Sequence, residues 1–210
     1  MTYTIRPMTR EDLAQINEID REAFPTQWPP ANYRQELQNK LAHYIVAIDV
    51  SRTPATVPVK PRPGWLKFMS RLIPWVKPEA ISRDPLTSPY IAGFSGIWMM
   101  ADEAHITNIA VRKEYQGQGI GGLLLIATFD LARELKAAFL TLEVRASNVV
   151  AQQLYSRYGF NQTGQRRGYY LDNREDAIIM STESIASPAF QAQLGQLRDS
   201  LSGKLSAVSK

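Results

Sequence analysis

A chain of 210 residues has room for one domain with a sizeable core, and a second full domain would be crowded. An apolar fraction of 44% and a charged fraction of 21% are those of an ordinary globular protein, and a net charge of +4 permits an anionic partner without predicting specific DNA binding. The absence of cysteine excludes disulfides, zinc–thiolate sites and a cysteine nucleophile, and with only two histidines we expect no metal site.

The first 50 residues predict two strands separated by two helices. Residues 2–8 alternate like a strand, and Thr9 with Asp12 forms a capping box for a helix that stops at Pro25. A second helix is predicted after the next two prolines, with apolar residues at four-residue spacing: Tyr33, Leu37 and Leu41. Residues 43–50 predict a strand. The start of the chain has no signal-peptide pattern, and no stretch has transmembrane length, so we expect a cytoplasmic protein.

Residues 51–88 interrupt this pattern. The segment is rich in proline, and it is basic without acidic residues between Arg52 and Lys77. A connection of this length is unusual inside a compact domain, so we predict an insertion. Its apolar and basic stretch at residues 65–75 allows three interpretations: weak contact with an anionic membrane surface, docking to ribosomal RNA or a partner protein, or a flap that packs on the domain.

The second half predicts alternating strands and helices. Residues 90–100 and 104–111 are predicted as a β-hairpin, followed by a glycine-rich loop. The remaining elements are a helix, a strand, a helix and a last strand, at residues 120–137, 139–144, 148–158 and 176–182. Residues 184–210, rich in Ser, Gln and Ala, predict a helical or frayed tail. The succession indicates a mixed α/β (α+β) fold.

The glycine-rich loop is the most informative stretch of the chain. A predicted strand leads into four glycines, Gly117, Gly119, Gly121 and Gly122, and these open a helix. Glycine permits close backbone approach and positive φ, and a helix N-terminus directs unpaired N–H groups towards one point, so an anion is the expected ligand. The loop lacks the Gly-Lys-Ser/Thr of a Walker loop, and a dinucleotide fingerprint also fits poorly. A glycine-rich turn without a ligand remains the alternative.

Two motifs resemble those of GNAT acetyltransferases. Gln-Gly-Gln-Gly-Ile-Gly at residues 116–121 resembles the Arg/Gln-x-x-Gly-x-Gly/Ala pattern with which these enzymes hold the pyrophosphate of coenzyme A. Leu-Glu-Val-Arg-Ala-Ser-Asn at residues 142–148, followed by Leu-Tyr at 154–155 and Gly-Phe at 159–160, is similar to the RimI-type branch. That branch consists of bacterial ribosomal-protein-alanine N-acetyltransferases.

The closing segments extend the resemblance. Arg-Arg-Gly-Tyr-Tyr at residues 166–170 and Glu-Asp-Ala-Ile-Ile-Met at 175–180 match the end of RimI-type chains, except that Gly168 stands where the branch has asparagine. Because this segment shapes the peptide site in the family, the substrate is less firmly implied than the chemistry. The resemblance is strong over residues 104–183 and loose over 1–50. It does not extend to 51–88 or 184–210.

The resemblance implies a fold, a cosubstrate and a cofactor site. The expected fold is the GNAT fold, a mixed central sheet flanked by helices, within residues 1–183, interrupted at 51–88 and followed by the tail at 184–210. Acetyl-CoA is the implied cosubstrate. The implied cofactor contacts lie at the end of a strand and along the loop: Ile109, Ala110, Val111, Gln116, Gly117, Gln118, Gly119, Ile120, Gly121 and Gly122.

Three further residues match functional positions of the family. Glu143 resembles the general base, and strand alternation places it with Thr141 and Arg145 on one face. Asn148 resembles the residue that binds the pantetheine arm, and Tyr155 resembles the residue that protonates the departing thiolate. Without the resemblance, these residues would be an exposed strand acid, a helix cap and a core aromatic.

The implied activity is acetyl transfer to the α-amino group of a protein N-terminus, that of a ribosomal protein beginning with alanine. Without cysteine an acetyl-cysteine route is impossible, so we expect direct transfer in a ternary complex, with the oxyanion stabilised by a backbone N–H. Two alternatives remain open. One is a GNAT enzyme that acts on small amines or lysine side chains, and the other is a non-catalytic acyl-CoA-binding or ribosome-associated module.

Overall fold

The computed structural model describes residues 3–26, 31–52 and 89–208. The strands of the sheet are β1 (Tyr3–Pro7), β2 (Ala42–Asp49), β3 (Tyr90–Met100), β4 (Glu103–Val111), β5 (Phe139–Arg145), β6 (Phe160–Arg166) and β7 (Ala177–Thr182). The helices are α1 (Leu13–Ala23), α2 (Tyr33–Glu36), α3 (Ile120–Glu134), α4 (Val149–Arg157) and α5 (Pro188–Val208). Short 3-10 turns at Arg10–Asp12 and Lys113–Tyr115 precede α1 and the glycine-rich loop.

Within the described residues the sheet has seven strands, in the order β1-β2-β3-β4-β5-β7-β6. The pairing of β4 with β5 is parallel, and the other neighbouring strands pair antiparallel. The parallel pair is joined through α3, as a crossover connection requires. This mixed sheet flanked by helices confirms the predicted fold class.

Both faces of the central strands are covered, which explains their continuous apolar character. On β2, Ile45 and Ala47 belong to one buried cluster together with residues of α3 and α5. Val46 and Ile48 belong to a second cluster with residues of α1 and α2. The sheet therefore lies between two helical layers, and the site must open along a strand end or an edge.

The predicted capping box is confirmed. The Thr9 amide donates to Asp12 Oδ2 at 2.8 Å, and the Arg6 guanidinium holds the same carboxylate from the other side at 2.6 Å. The predicted second helix is wrong in length, because α2 ends at Glu36 and Leu41 is 55% exposed. Its four-residue spacing does not correspond to a buried helix face.

Strand β6 was not predicted from the sequence. Its residues are mostly polar and include Gly164, and after Phe160 its side chains are largely exposed. Among the described strands it lies at the edge of the sheet and pairs with β7 alone. A strand that buries almost nothing leaves no hydrophobic period to detect.

Most of the predicted insertion lies outside the described residues, which include only positions 51 and 52 of residues 51–88. The predicted contact of this segment with a membrane surface, the ribosome or the domain therefore stays a prediction. Within the three described ranges, no helix is both long and apolar enough to cross a membrane, and no group of acidic or histidine side chains could hold a metal ion.

Candidate active site

Strands β4 and β5 separate halfway along their length. They pair in register from Glu103 opposite Phe139 to Ile106 opposite Leu142. Beyond that point β5 continues against β7, while β4 continues against β3 after a β-bulge. No strand among the described residues covers this side of β4 after Ile106, so the two strands enclose a gap that widens towards the glycine-rich loop.

The end of β4 presents backbone groups to this gap. The Arg112 amide donates to the Ala92 carbonyl at 2.9 Å, which makes Gly93 and Val111 a non-hydrogen-bonded pair of the antiparallel ladder. By alternation, the N–H and C=O groups of Ile109 and Val111 point away from β3 and into the gap. The neighbouring Ala110 instead directs its backbone groups towards Phe94 of β3.

The glycine-rich loop lies at the wide end of the gap. Gly117 and Gly119 have φ of +75° and +100°, values that residues with a side chain rarely adopt. The first intrahelical bond runs from the Leu123 amide to the Gly119 carbonyl at 3.0 Å. The amides before it, those of Ile120, Gly121 and Gly122, therefore have no intrahelical acceptor. These features fit a site for a diphosphate.

The helix can approach its neighbours closely because its first turn contains glycines. A Cβ on Gly121 would lie 3.2 Å from Leu154 of α4, and a Cβ on Gly122 would lie 2.2 Å from the Tyr158 hydroxyl. These two glycines serve close packing, whereas a Cβ on Gly117 would meet nothing within 4 Å. Open space around Gly117 leaves room for a ligand at the loop.

The side chains of the two loop glutamines form hydrogen bonds with nearby backbone carbonyls. Gln116 Nε2 donates to the Val111 carbonyl at 3.3 Å, and Gln118 Nε2 donates to the Glu114 carbonyl at 2.5 Å. Gln118 Oε1 also lies 3.4 Å from the Tyr3 hydroxyl. Both side chains therefore shape the loop, and its backbone amides are left to bind an anion.

Glu143 lies on β5 where the gap opens, on the same strand face as Thr141 and Arg145, as predicted. Its side chain is only 10% exposed, with Oε2 at 3.0 Å from His105 Nε2 and Oε1 at 3.2 Å from Arg166 Nη2. The hydrogen bond from His105, opposed by burial and assisted by the charge of Arg166, lowers the pKa of the Glu143 carboxyl. Glu143 is therefore ionised at neutral pH.

His105 is the middle of a hydrogen-bonded chain. Thr141 donates its hydroxyl proton to the Glu103 carboxylate, which can only accept. Thr141 Oγ1, at 2.8 Å from His105 Nδ1, therefore accepts from that nitrogen. The other ring nitrogen, Nε2, lies 3.0 Å from Glu143 Oε2, so the imidazole links Thr141 to the Glu143 carboxylate.

Helix α4 contributes Asn148 and Tyr155. Asn148 is the N-cap residue, and its Oδ1 accepts from the Ala151 amide at 3.1 Å. Tyr155 is buried against Phe160, with ring centroids 5.8 Å apart, and burial raises the pKa of its hydroxyl. No described residue hydrogen-bonds that hydroxyl, and it is not sealed from solvent. The Tyr155 hydroxyl is therefore a protonated group without a hydrogen-bond partner among the described residues.

Tyr170 lies within electrostatic range of both Glu143 and Tyr155. Burial, with the charge of Arg145 opposing it, raises the pKa of the Tyr170 hydroxyl to about 12, and Glu143 adds to the rise. The charge of the same phenol contributes to the raised pKa of Tyr155. The Arg145 guanidinium lies 3.9 Å from the Tyr170 ring centroid and is bound by Asp172 at 3.0 Å. This cluster connects the loop between β6 and β7 to the site.

The motifs did not identify His105 or Tyr170 as site residues. His105 stands opposite Thr141 across the parallel pairing of β4 and β5, and a single sequence does not indicate which strands are neighbours. The available signal was weak, because β4 also contains the polar residues Glu103, Thr107 and Asn108. Tyr170 was visible only as part of the closing motif.

The backbone conformation at Gly168 explains why glycine can stand where the family motif has asparagine. Its φ is +58°, in the left-handed region that glycine and asparagine both tolerate. A Cβ there would meet only the Arg174 carbonyl, at 3.8 Å. Asparagine and glycine therefore support the same turn at this position.

Comparison with known proteins agrees with this geometry. The profile described as Acetyltransferase (GNAT) family matches residues 65–160. A Bacillus subtilis (strain 168) protein, provisionally named a ribosomal protein bS18-alanine N-acetyltransferase, is 34% identical over 84% of this chain and 92% of its own length. The N-alpha-acetyltransferase RimI of Mycobacterium tuberculosis (strain ATCC 25618 / H37Rv) is 31% identical over 86% of this chain and 92% of its own.

A solved structure shows the same architecture. The crystal structure of the ribosomal-protein-S18-alanine N-acetyltransferase from Escherichia coli is 28% identical and covers 89% of this chain and 97% of its own, with a TM-score of 0.59. The open edge of β4, the glycine-rich loop and the stretch around Glu143 all fall within residues 65–160, which the family profile matches. The chain belongs to the GNAT family of acetyl-CoA-dependent N-acetyltransferases, in its RimI-type branch.

Proposed function

We propose that this enzyme acetylates the N-terminal α-amino group of a protein, and that its substrate is a ribosomal protein beginning with alanine. The names of two relatives that match over most of their length support this substrate, and the name of a third supports acetylation of an α-amino group. The observation that best supports acetyl transfer is that the ionised Glu143 lies beside the open edge of β4. The partners are then acetyl-CoA and a protein N-terminus, and the enzyme would act in the cytoplasm.

The proposed cofactor contacts follow the gap. The amides of Gly117 and of residues 119–122 would hold the diphosphate. The backbone of Ile109 and Val111 would pair with the amides of the pantetheine arm, and Asn148 would bind that arm through its side-chain Nδ2. Bound there, acetyl-CoA supplies a thioester carbonyl as the electrophile. A backbone N–H at the open edge of β4 is the proposed donor to the carbonyl oxygen.

Glu143 is the proposed general base. An α-amino group has a reference pKa of about 8, so a large share of it is neutral at slightly alkaline pH without help from the enzyme. The low pKa of Glu143 means that it accepts a proton only as the nitrogen becomes acylated, when the N–H is far more acidic. Until then the carboxylate orients the amine, and His105 and Arg166 keep it ionised.

Tyr155 is the proposed general acid. Its raised pKa keeps the hydroxyl protonated at every working pH, and it has no competing acceptor among the described residues. A hydroxyl in that state can donate its proton to a leaving thiolate. The site thus offers an ionised base and a protonated acid, which a GNAT reaction requires.

A panel of peptides tests the substrate class. The panel contains an alanine-first peptide, the same peptide with a blocked N-terminus and an internal lysine, and a polyamine. Incubation with acetyl-CoA followed by mass spectrometry should show acetylation of the free α-amine alone. Acetylation of the lysine or the polyamine would favour the alternative amine substrates, and binding of coenzyme A without any turnover would favour a non-catalytic module.

A further inference from the structure

Helix α5, which lies beyond the family motifs, packs along α3 as far as the glycine-rich loop. Phe190 at its start stacks edge-on against Phe129 at a centroid distance of 5.1 Å. Arg198 then binds Asp130 of α3 at 2.8 Å. Leu201 and Leu205 are buried in the same apolar cluster as Ile45 and Ala47 of β2. The helix is therefore anchored at three levels, and its last turns face the loop.

The apolar side of these last turns touches the loop at Gly119. A Cβ on Gly119 would lie 2.9 Å from Leu201 Cδ1 and 3.5 Å from Leu205 Cδ2. Gly119 is the N-cap residue of α3, with the φ of +100° noted above. The backbone that turns the loop into the helix thus rests directly on α5.

The polar side of α5 contacts the loop two residues earlier, at Gly117. Lys204 Nζ donates to the Gly117 carbonyl at 2.9 Å. Gly117 has positive φ and no packing within 4 Å of a Cβ position, so side-chain contacts do not fix its peptide plane. The Gln118 amide, in the same peptide plane, donates to the Tyr115 carbonyl at 3.4 Å. Lys204 therefore fixes the other end of that peptide.

We propose that α5 forms part of the acetyl-CoA site, with Lys204 as a positioning residue that holds the Gly117 carbonyl and brings a positive charge to the diphosphate loop. This inference rests on the proposed binding of the diphosphate at residues 117–122. If the Gly117 carbonyl turned towards a bound anion, it would repel the anion. The hydrogen bond from Lys204 keeps this carbonyl directed at α5. The Lys204 ammonium also offsets the negative charge that a bound diphosphate brings to the loop.

Calorimetric titration of the full chain with coenzyme A tests the proposal. Lys204→Met keeps the length of the side chain and removes its charge and its donors, and Lys204→Arg restores both. The matched control is Arg198→Met, which removes a cation from the same helix at a distance from the loop. Lys204 is exposed, so the two Lys204 variants should melt at the wild-type temperature.

We expect Lys204→Met to raise the Kd for coenzyme A about 3- to 10-fold, the size of one ordinary net hydrogen bond. Lys204→Arg and Arg198→Met should stay within about two-fold of wild type. Hydrogen exchange of the ligand-free protein supplies a readout independent of binding. The Gln118 amide should exchange faster in Lys204→Met and at the wild-type rate in Arg198→Met.

Two results would overturn the proposal. One is a Lys204→Met protein that binds coenzyme A as tightly as wild type. The other is an equal loss in Lys204→Met and Arg198→Met, which would reduce α5 to a general stabilising element. A wild-type protein that does not bind coenzyme A at all would instead overturn the proposed function, so the two failures are distinguishable.

Discussion

His105 and Glu143 face each other across the parallel pairing of β4 and β5, with His105 Nε2 at 3.0 Å from Glu143 Oε2. The contact exists because His105 is paired in register with Thr141, two residues before Glu143 on β5. Thr141 orients the imidazole, and the imidazole in turn keeps the carboxylate ionised. The state of the proposed base is thus controlled from the neighbouring strand.

Replacement of His105 by alanine should raise the pKa of Glu143, because the burial of the carboxyl then acts without its main opposing hydrogen bond. The expected result is an acidic limb of the kcat/KM profile that moves to higher pH, with Kd for coenzyme A unchanged. Carboxyl carbon NMR of the labelled glutamates measures the same shift directly. His43→Ala, the only other histidine variant available, is the control. An unaltered pH profile in His105→Ala would show that the pair does not control the base.

Acid should destabilise the fold through its hydrogen-bonded carboxylates. Hydrogen bonds from Ser147, then from Asn173 and Arg145, lower the pKa of Glu175 to about 2, and the pKa of Glu143 is lowered as well. A carboxyl whose folded pKa lies below its unfolded value of about 4.3 stabilises the fold above that value and loses this contribution as pH falls towards the folded pKa. The free energy of unfolding should therefore be nearly constant above about pH 5.5 and fall below it.

Urea titrations between neutral and acidic pH measure this dependence. Glu175→Gln should lower stability at neutral pH and flatten the acid slope. Glu183→Gln is the matched control, because Glu183 is exposed and forms no ion pair within the described ranges. An acid slope in Glu175→Gln as steep as in wild type would contradict the assignment.

Tyr155→Phe should separate catalysis from stability. The Tyr155 hydroxyl has no described hydrogen-bond partner, so its removal leaves no unpaired group and should not lower the melting temperature. Loss of a general acid should reduce kcat by about 10²- to 10⁴-fold while Kd for coenzyme A stays within about two-fold. Wild-type turnover in this variant would remove Tyr155 from the mechanism.

Two glycines of the helices should respond oppositely to alanine. Gly122→Ala would place a Cβ 2.2 Å from the hydroxyl of the buried Tyr158, and we expect a loss of about 1–3 kcal/mol in the free energy of unfolding. Gly195→Ala, in α5 with nothing within 4 Å, should add about 0.5–1 kcal/mol. Chemical denaturation measures both. Equal effects of the two substitutions would contradict the tight packing of α3 on Tyr158.

Local patterns predicted the elements that bury a face. Alternation along residues 139–145 placed Glu143 opposite the buried Leu142 and Val144, and the capping box at Thr9 formed as expected. The edge strand β6 and the short α2 were mispredicted, because neither has an apolar period that matches its structure. Elements that lie at an edge or end early leave little trace in single-sequence patterns.

The site was predictable only in the parts that are local in sequence. The loop at residues 116–122 and the stretch around Glu143 are continuous motifs, so they could be recognised in the chain. The proposed roles of His105 and Lys204 depend on strand order and on the docking of a helix whose Lys204 is 87 positions away from Gly117. Contacts of that kind become visible only when the fold is known.

The central claim is that Glu143 receives the proton of an α-amine presented beside the diphosphate loop. The most direct test is the rate of acetylation of an alanine-first peptide by wild type and Glu143→Gln at saturating acetyl-CoA, followed by mass spectrometry. We expect acetylation of the α-amine by wild type and a rate about 10²- to 10⁴-fold lower in the variant. Equal rates for the two proteins, or no acetylation of the α-amine by wild type, would contradict the account.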